Sequence, residues 1–186
     1  MRKDLGAKPY TYPQPVFILA AYGEDGTPNV MNAAWGGVSD TTELTMCISA
    51  GHKTTKDILA RGAFTVSMGD AAHVTACDYV GLVSGNEVPD KLARAGFFAV
   101  RAAHVDAPLI EQLSVAVECR LKSYDPATGH LVGEIVNVSV DESVIGADGR
   151  VDTAAVRPIC FDPFNDTYVA LGEVVGKAFS AGDALK

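Results

Sequence analysis

Two stretches in the second half of the chain, SVAVECRLKSYD (Ser114–Asp125) and HLVGEIVNVSVD (His130–Asp141), alternate apolar and polar residues on either side of the connection PATG. A period of two marks a strand with one face on a core, and Pro and Gly supply the turn between them. The pair predicts one long antiparallel hairpin, and that hairpin constrains the rest of the chain.

The first half adds shorter strands of the same kind. Pro13 and Pro15 punctuate an extended lead-in to VFILAAY (16–22), a short run rich in β-formers. The turn GEDGTP and a second run, NVMNAAW (29–35), complete a hairpin. Beyond the connection GGVSDTTE come the strands LTMCISA (44–50) and AFTVSM (63–68). Between these two, KDILARG (56–62) reads as a helix with Thr54 or Thr55 as its cap and Gly62 as its stop. Asp70 is placed to cap a helix through AAHVTACDYVG, and DKLARAG (90–96) reads as a further short helical segment. Hairpins with helices inserted between them fit an antiparallel barrel or sandwich and do not fit regular βαβ alternation.

The chain of 186 residues, with 48% hydrophobic and 20% charged residues, is expected to form one domain over residues 1–186. Its net charge of -8 argues against a nucleic-acid partner, which requires a basic surface. Cys47, Cys77, Cys119 and Cys160 are far apart, with no Cys-x-x-Cys pair, so they are expected to be buried thiols in a reducing compartment. The N-terminal stretch MRKDLGAKPYTYPQP has no apolar core of signal-peptide length, and no later run is long enough to span a membrane. The expected location is the cytoplasm.

Most catalytic motifs are missing. There is no Gly-x-Gly-x-x-Gly, no Gly-x-Ser-x-Gly and no pair of histidines at metal-ligand spacing, so no metal site is expected. GEVVGKA, near the C-terminus, has one residue too few between its glycines for a P-loop, and alanine where Ser or Thr is needed.

One block stands out, GHKTTKDI (51–58). A helix start leaves backbone N–H groups unpaired and carries roughly half a positive charge, so it attracts anions. Lys53 adds a full charge, and His52, Thr54 and Thr55 add donors of the kind a phosphate takes. The plain alternative is a capped, solvated helix. One strand earlier, NVMNAAWGG joins the chain's only tryptophan to small residues and glycines, a wall and floor suited to a planar ligand. Trp35 in a core or at a dimer interface is the alternative there. Together the two features point to a mononucleotide-like cofactor.

At this point the sequence resembles the flavin reductase-like, FMN-binding split-barrel family, most closely its flavoredoxin branch. The segments that carry the resemblance are GTPNVMNAAWGG, ISAGHKTTKDI, FTVSM, SGNEVPDKLARAGF, GHLVGEIV and PICFDPFNDTYVALGEVVGKAF. The resemblance implies a mainly β fold with flanking helices, a six-stranded antiparallel Greek-key split barrel, acting as a homodimer with FMN near the subunit interface. It implies that Asn32, Ala33, Ala34 and Trp35 border the isoalloxazine ring, while Ser49, His52, Lys53, Thr54 and Thr55 hold the ribityl chain and phosphate. Lys91 is implied as a further polar contact, with Phe164 and Tyr168 closing over the ring, from the partner subunit in one version. Cys77 receives no role beyond that of a buried thiol.

Flavin would carry the redox chemistry, so no catalytic side chain is nominated. The expected function is a flavoprotein oxidoreductase passing electrons from NADH or NADPH through FMN to free flavin or another acceptor. The alternative is a flavoredoxin-type carrier, reduced by a redox protein partner and lacking a nicotinamide site. A structural dimer that has lost its flavin is the remaining reading.

Overall fold

The computed structural model describes residues 1–186, the side chain of Ala184 excepted. Its elements, in order, are β1 (Gln14–Pro15), β2 (Phe17–Tyr22), β3 (Pro28–Ala33), β4 (Gly36–Asp40), β5 (Glu43–Cys47), α1 (Lys53–Arg61), β6 (Ala63–Met68), α2 (Val74–Leu82) and α3 (Lys91–Arg94). There follow β7 (Ala99–Arg101), β8 (Pro108–Ile110), β9 (Val115–Asp125), β10 (His130–Val140), α4 (Thr153–Val156), β11 (Ile159–Asp162) and β12 (Thr167–Ala170).

The main sheet has the order β3-β2-β6-β9-β10-β5-β4, and each of its pairs is antiparallel. The hairpin expected from the alternating stretches is β9–β10, bent by register shifts at Val132/Gly133 and Ile135/Asn137. Such irregularities increase local twist and help a sheet curl. The sheet has seven strands rather than six. The extra one is β4, which occupies most of the segment expected to be a connection.

The connectivity forces the curl. β3 and β4 lie at opposite ends of the sheet order, yet only Ala34 and Trp35 separate them in sequence. A flat seven-stranded sheet would hold its edges about 29 Å apart. The three peptide units from Ala33 to Gly36 span at most about 11 Å. The sheet therefore rolls into a split barrel whose open seam is crossed at Ala34–Trp35.

Alternation divides the side chains between two cores. Leu19, Ala21, Phe64, Val66, Val117, Cys119, Leu131, Leu44 and Met46 fill the barrel interior, with Ile58 of α1 closing one end. Ile18, Ala20 and Val30 point outwards and pack beneath α2, Phe97, Ile110 and Ile159. Each fully buried aliphatic or aromatic side chain contributes about 1.5–3 kcal/mol, so both cores fix the sheet. A small sheet, β1-β11-β12, packs beside α2 through Phe161 and Tyr168. Among the described residues, no helix is long and apolar enough to cross a membrane.

Candidate functional site

The chain leaves β5 and turns through Ser49–Gly51 into α1. Gly62 ends this helix at φ 68°, its N–H donating to the carbonyl of Ile58, as the sequence implied. The start differs from expectation. His52 is the N-cap residue, and no side chain caps the helix. Thr54 and Thr55 lie inside the first turn and are buried. Thr55 Oγ1 donates to the carbonyl of Ser49 at 2.8 Å, which fixes the loop before the helix. Thr54 Oγ1 accepts from Asn29 Nδ2 at 2.8 Å and keeps its own proton to donate.

Behind this turn lies a buried network. Asp57 accepts from Lys53 Nζ at 2.7 Å and from Asn29 Nδ2 at 3.1 Å. It therefore aims Lys53, whose side chain is a third exposed. No acidic residue lies in the first turn, so the positive end of α1 is unopposed there.

That helix start forms one wall of a cleft of about 200 Å³, with Asn32 of β3 and the C-terminal end of α2 opposite. Gly81 and Gly85 line it because nothing larger fits. A Cβ on Gly81 would sit 3.0 Å from Asn32 Cβ, and one on Gly85 2.5 Å from Asn29 Oδ1. Lys91 also lines this cleft but is committed elsewhere. It is buried, and Nζ donates to the carbonyls of Val80 and Val83 at 3.2 and 3.1 Å, satisfying the end of α2. Burial pulls its amine down to about 8.

Two further clefts follow in series from the first. One, of about 270 Å³, shares Asn32, Gly81 and Leu82 with it and lies between the seam and the small sheet. Tyr168 Oη donates to Asp78 Oδ1 at 2.7 Å across this space, tying β12 to α2. Burial, with the Asp78 carboxylate second, raises the Tyr168 phenol above its ordinary range. Asn32 Nδ2 donates to the carbonyl of Cys77 at 3.0 Å. The other cleft, about 470 Å³, shares Ala34 and holds Trp35, Cys47 and His130.

The expected site residues are thus distributed along one groove. His52, Lys53, Thr54, Asn32 and Lys91 line its first part, Asn32, Ala34 and Tyr168 its middle, and Ala34 and Trp35 its far end. Ala33 is half-buried and packs on the barrel core. Ser49 and Thr55 line none of the three clefts and brace the loop behind. Phe164 lines none either; it is exposed at the β11–β12 turn, its ring 5.0 Å from that of Tyr10.

Cys77 is a buried thiol, pushed up to about 12 by burial, and Cys119 and Cys160 are buried too. Cys47 departs from expectation: it is half-buried at the far cleft. Asp70 accepts from the N–H of His73, but the helix begins only at Val74. Asn29, Asp57, Asp78 and Phe161 are not among the site residues expected from the sequence. Asp78 had one available signal, its position on the α2 face that carries Gly81 and Leu82.

A seamed antiparallel barrel, with a cationic helix start at one end of a groove and an aromatic wall at the other, defines a class of barrel whose groove suits a planar ligand bearing a phosphate. Residues 10–155 match the model of the flavin reductase like domain, and the chain belongs to this family. The flavoredoxin of Desulfovibrio vulgaris (Miyazaki F) is 40% identical, with a TM-score of 0.93 over 98% of this chain and 100% of that one. The flavoredoxin from Methanosarcina acetivorans has the same fold at 24% identity, with a TM-score of 0.86 over 100% of this chain and 98% of that one. An uncharacterised protein of Aquifex aeolicus (strain VF5) is 24% identical over 159 residues, 79% of each chain. The chain is accordingly a flavoprotein of the flavin reductase-like kind.

Proposed function

We propose that this chain is an FMN-holding electron carrier of the flavoredoxin type, working as a homodimer and receiving electrons from a redox protein. One observation carries the choice: the lysines of the groove are concentrated at a single end. Lys53 and Lys91 line the first cleft, whereas the residues lining the other two include no Lys or Arg. One phosphate group finds an unopposed helix start and Lys53. The diphosphate of a nicotinamide dinucleotide would find no such partner on this chain near the ring end.

The residues fit the cofactor. Gly81 and Gly85 let Asn32 and Asn29 pack against the backbone at this end of the groove, and the Thr54 hydroxyl, which accepts from Asn29, keeps a proton to donate. His52, Lys53, Thr54 and the first-turn N–H groups would hold the phosphate, with Ser49 and Thr55 setting the loop. Asn32, Ala33, Ala34 and Trp35 would border the ring, with Tyr168 on the small-sheet side and Phe164 outside the groove of its own chain. Flavin, when bound, supplies the electron chemistry, and the protein supplies position and charge.

The NAD(P)H-dependent oxidoreductase is the second reading, favoured by the flavin reductase like domain itself. The anaerobic visible spectrum separates the two. A carrier stays yellow after NADH and after NADPH, and bleaches with dithionite. Bleaching by either nucleotide within seconds replaces the carrier with the reductase.

A further inference from the structure

Charge is distributed unevenly along the groove. Lys53 and Lys91 stand at its first cleft, while Asp78 is the one carboxylate among the described residues that line the three clefts. Asp78 lies on α2 with Gly81 and Leu82 three and four residues further on, so all three face the middle cleft from one side of the helix.

The surroundings of this carboxylate leave its charge unanswered. Oδ1 accepts from Tyr168 Oη at 2.7 Å, and that phenol, raised above its ordinary range, stays a neutral donor. Among the described residues the side chain of Asp78 makes no other hydrogen bond and no ion pair. No Lys, Arg or His lines the middle cleft. The two lysines of the groove are engaged elsewhere, Lys53 with Asp57 and Lys91 with the carbonyls at the end of α2. A half-buried charge is screened less than an exposed one, so it acts on whatever shares its cleft.

We propose that Asp78 sets the potential of the bound flavin: its unanswered carboxylate opposes the negative charge that the ring takes up on reduction, and so keeps the couple strongly reducing. The inference rests on the FMN reading given above, in which the ring borders Asn32, Ala34 and Tyr168, residues of this same cleft. Charge beside the ring is one of the means by which a protein tunes a flavin. Tyr168 is then a positioning residue, holding the carboxylate in the cleft. A carrier tuned in this way gives up its electrons readily, and its own donor must be a strong reductant. An Asp78 that only tied β12 to α2 would leave the potential alone.

The test is an anaerobic equilibrium titration of the full-length protein with FMN bound, against a reference dye near neutral pH, beside a fluorescence titration with oxidised FMN. Asp78→Asn keeps an acceptor for Tyr168 and removes the charge. The reduction equilibrium should shift at least about tenfold toward the reduced form, about 30 mV upward for a two-electron couple. Affinity for oxidised FMN should change no more than about threefold. Asp78→Glu keeps the charge and should hold the potential near that of the wild type. Leu82→Lys, at an exposed position one turn further along α2, supplies the missing cation and must raise the potential as well. An unchanged potential in flavin-loaded Asp78→Asn overturns the proposal and leaves the FMN reading in place. An equal rise in Asp78→Glu also overturns it, because shape and not charge would then govern the couple. Should Asp78→Asn fail to fold, Leu82→Lys decides, and an unchanged potential there overturns the proposal. A wild-type protein that takes up no FMN removes the cofactor reading itself, and the inference with it.

Discussion

Two buried carboxylates, Asp57 and Glu118, look alike by chemistry and serve different ends. Each is almost fully buried and each accepts two hydrogen bonds. Glu118 takes its bonds from the backbone N–H of His104 at 2.8 Å and from Asn137 Nδ2 at 2.7 Å, both neutral donors away from the groove. Asp57 takes one from neutral Asn29 and the other from Lys53, which reaches the groove. Glu118 locks the loop before β8 to the long hairpin. Asp57 spends its charge on orienting a cation. A buried acid is therefore read by its donors rather than by its burial: neutral donors mean architecture, and a shared, half-exposed cation means a site.

The largest expected effect tests the architectural half of that contrast. Glu118→Ala strips two buried donors of their acceptor and leaves a void, so unfolding free energy should fall by about 3–4 kcal/mol. Flavin bound per folded molecule should not change, as read by absorbance alongside denaturant titration. A selective loss of flavin would merge the two acids into one class. Next comes Lys53→Ala with Thr54→Ala, which removes the charge and the free hydroxyl from the helix start. Affinity for FMN should fall about thirty- to a hundredfold, or roughly 2–3 kcal/mol, measured on the folded fraction, because leaving the buried Asp57 without its cation lowers stability as well. Equal affinity in a fluorescence titration would place the phosphate elsewhere.

How much of this was legible depended on the range of the interaction concerned. The β9–β10 hairpin was readable because its period of two is local to each strand. β4 was not, since GGVSDTTE has no alternation and carries two glycines. It becomes a strand only by pairing with β5, so tertiary context overrides its composition. The phosphate end was legible as a block of donors, yet Thr54 and Thr55 could not be told apart. A threonine beside a helix start has the same chemistry whether it caps, braces a loop or faces a ligand. Only the distances to Asn29 and Ser49 separate those roles. Asp78 was invisible for a similar reason: in sequence it is an ordinary helix acid, and its partner Tyr168 lies ninety residues away.

A third prediction concerns Lys91, which lines the groove yet belongs with Glu118 on the architectural side. Its amine is lowered from 10.5 to about 8 by burial, so between these values the unfolded chain holds a proton that the folded one has released. Stability linked to this group rises with pH across that window and is flat below about 8, because there both states are protonated. The gain is on the order of 2 kcal/mol. Lys91→Met should abolish it in the difference between wild-type and variant denaturation curves at pH 8 and pH 10. A pH-independent difference would mean that the amine is held charged throughout.

The smallest effect belongs to the tie between the small sheet and α2. Tyr168→Phe deletes one hydroxyl, and with it the 2.7 Å bond to Asp78, while the ring keeps its packing against Phe161. Asp78 is only half-buried, so water can replace the lost donor, and the stability cost should be about 1 kcal/mol. If Tyr168 serves only to hold β12 in place, FMN affinity should follow that small loss and change no more than about fivefold. If it contacts the ring, the flavin absorption bands should shift in the variant even where affinity does not. The spectrum therefore decides on which side of the contrast Tyr168 falls: a shift groups it with Lys53 and Asp57, and its absence groups it with Glu118.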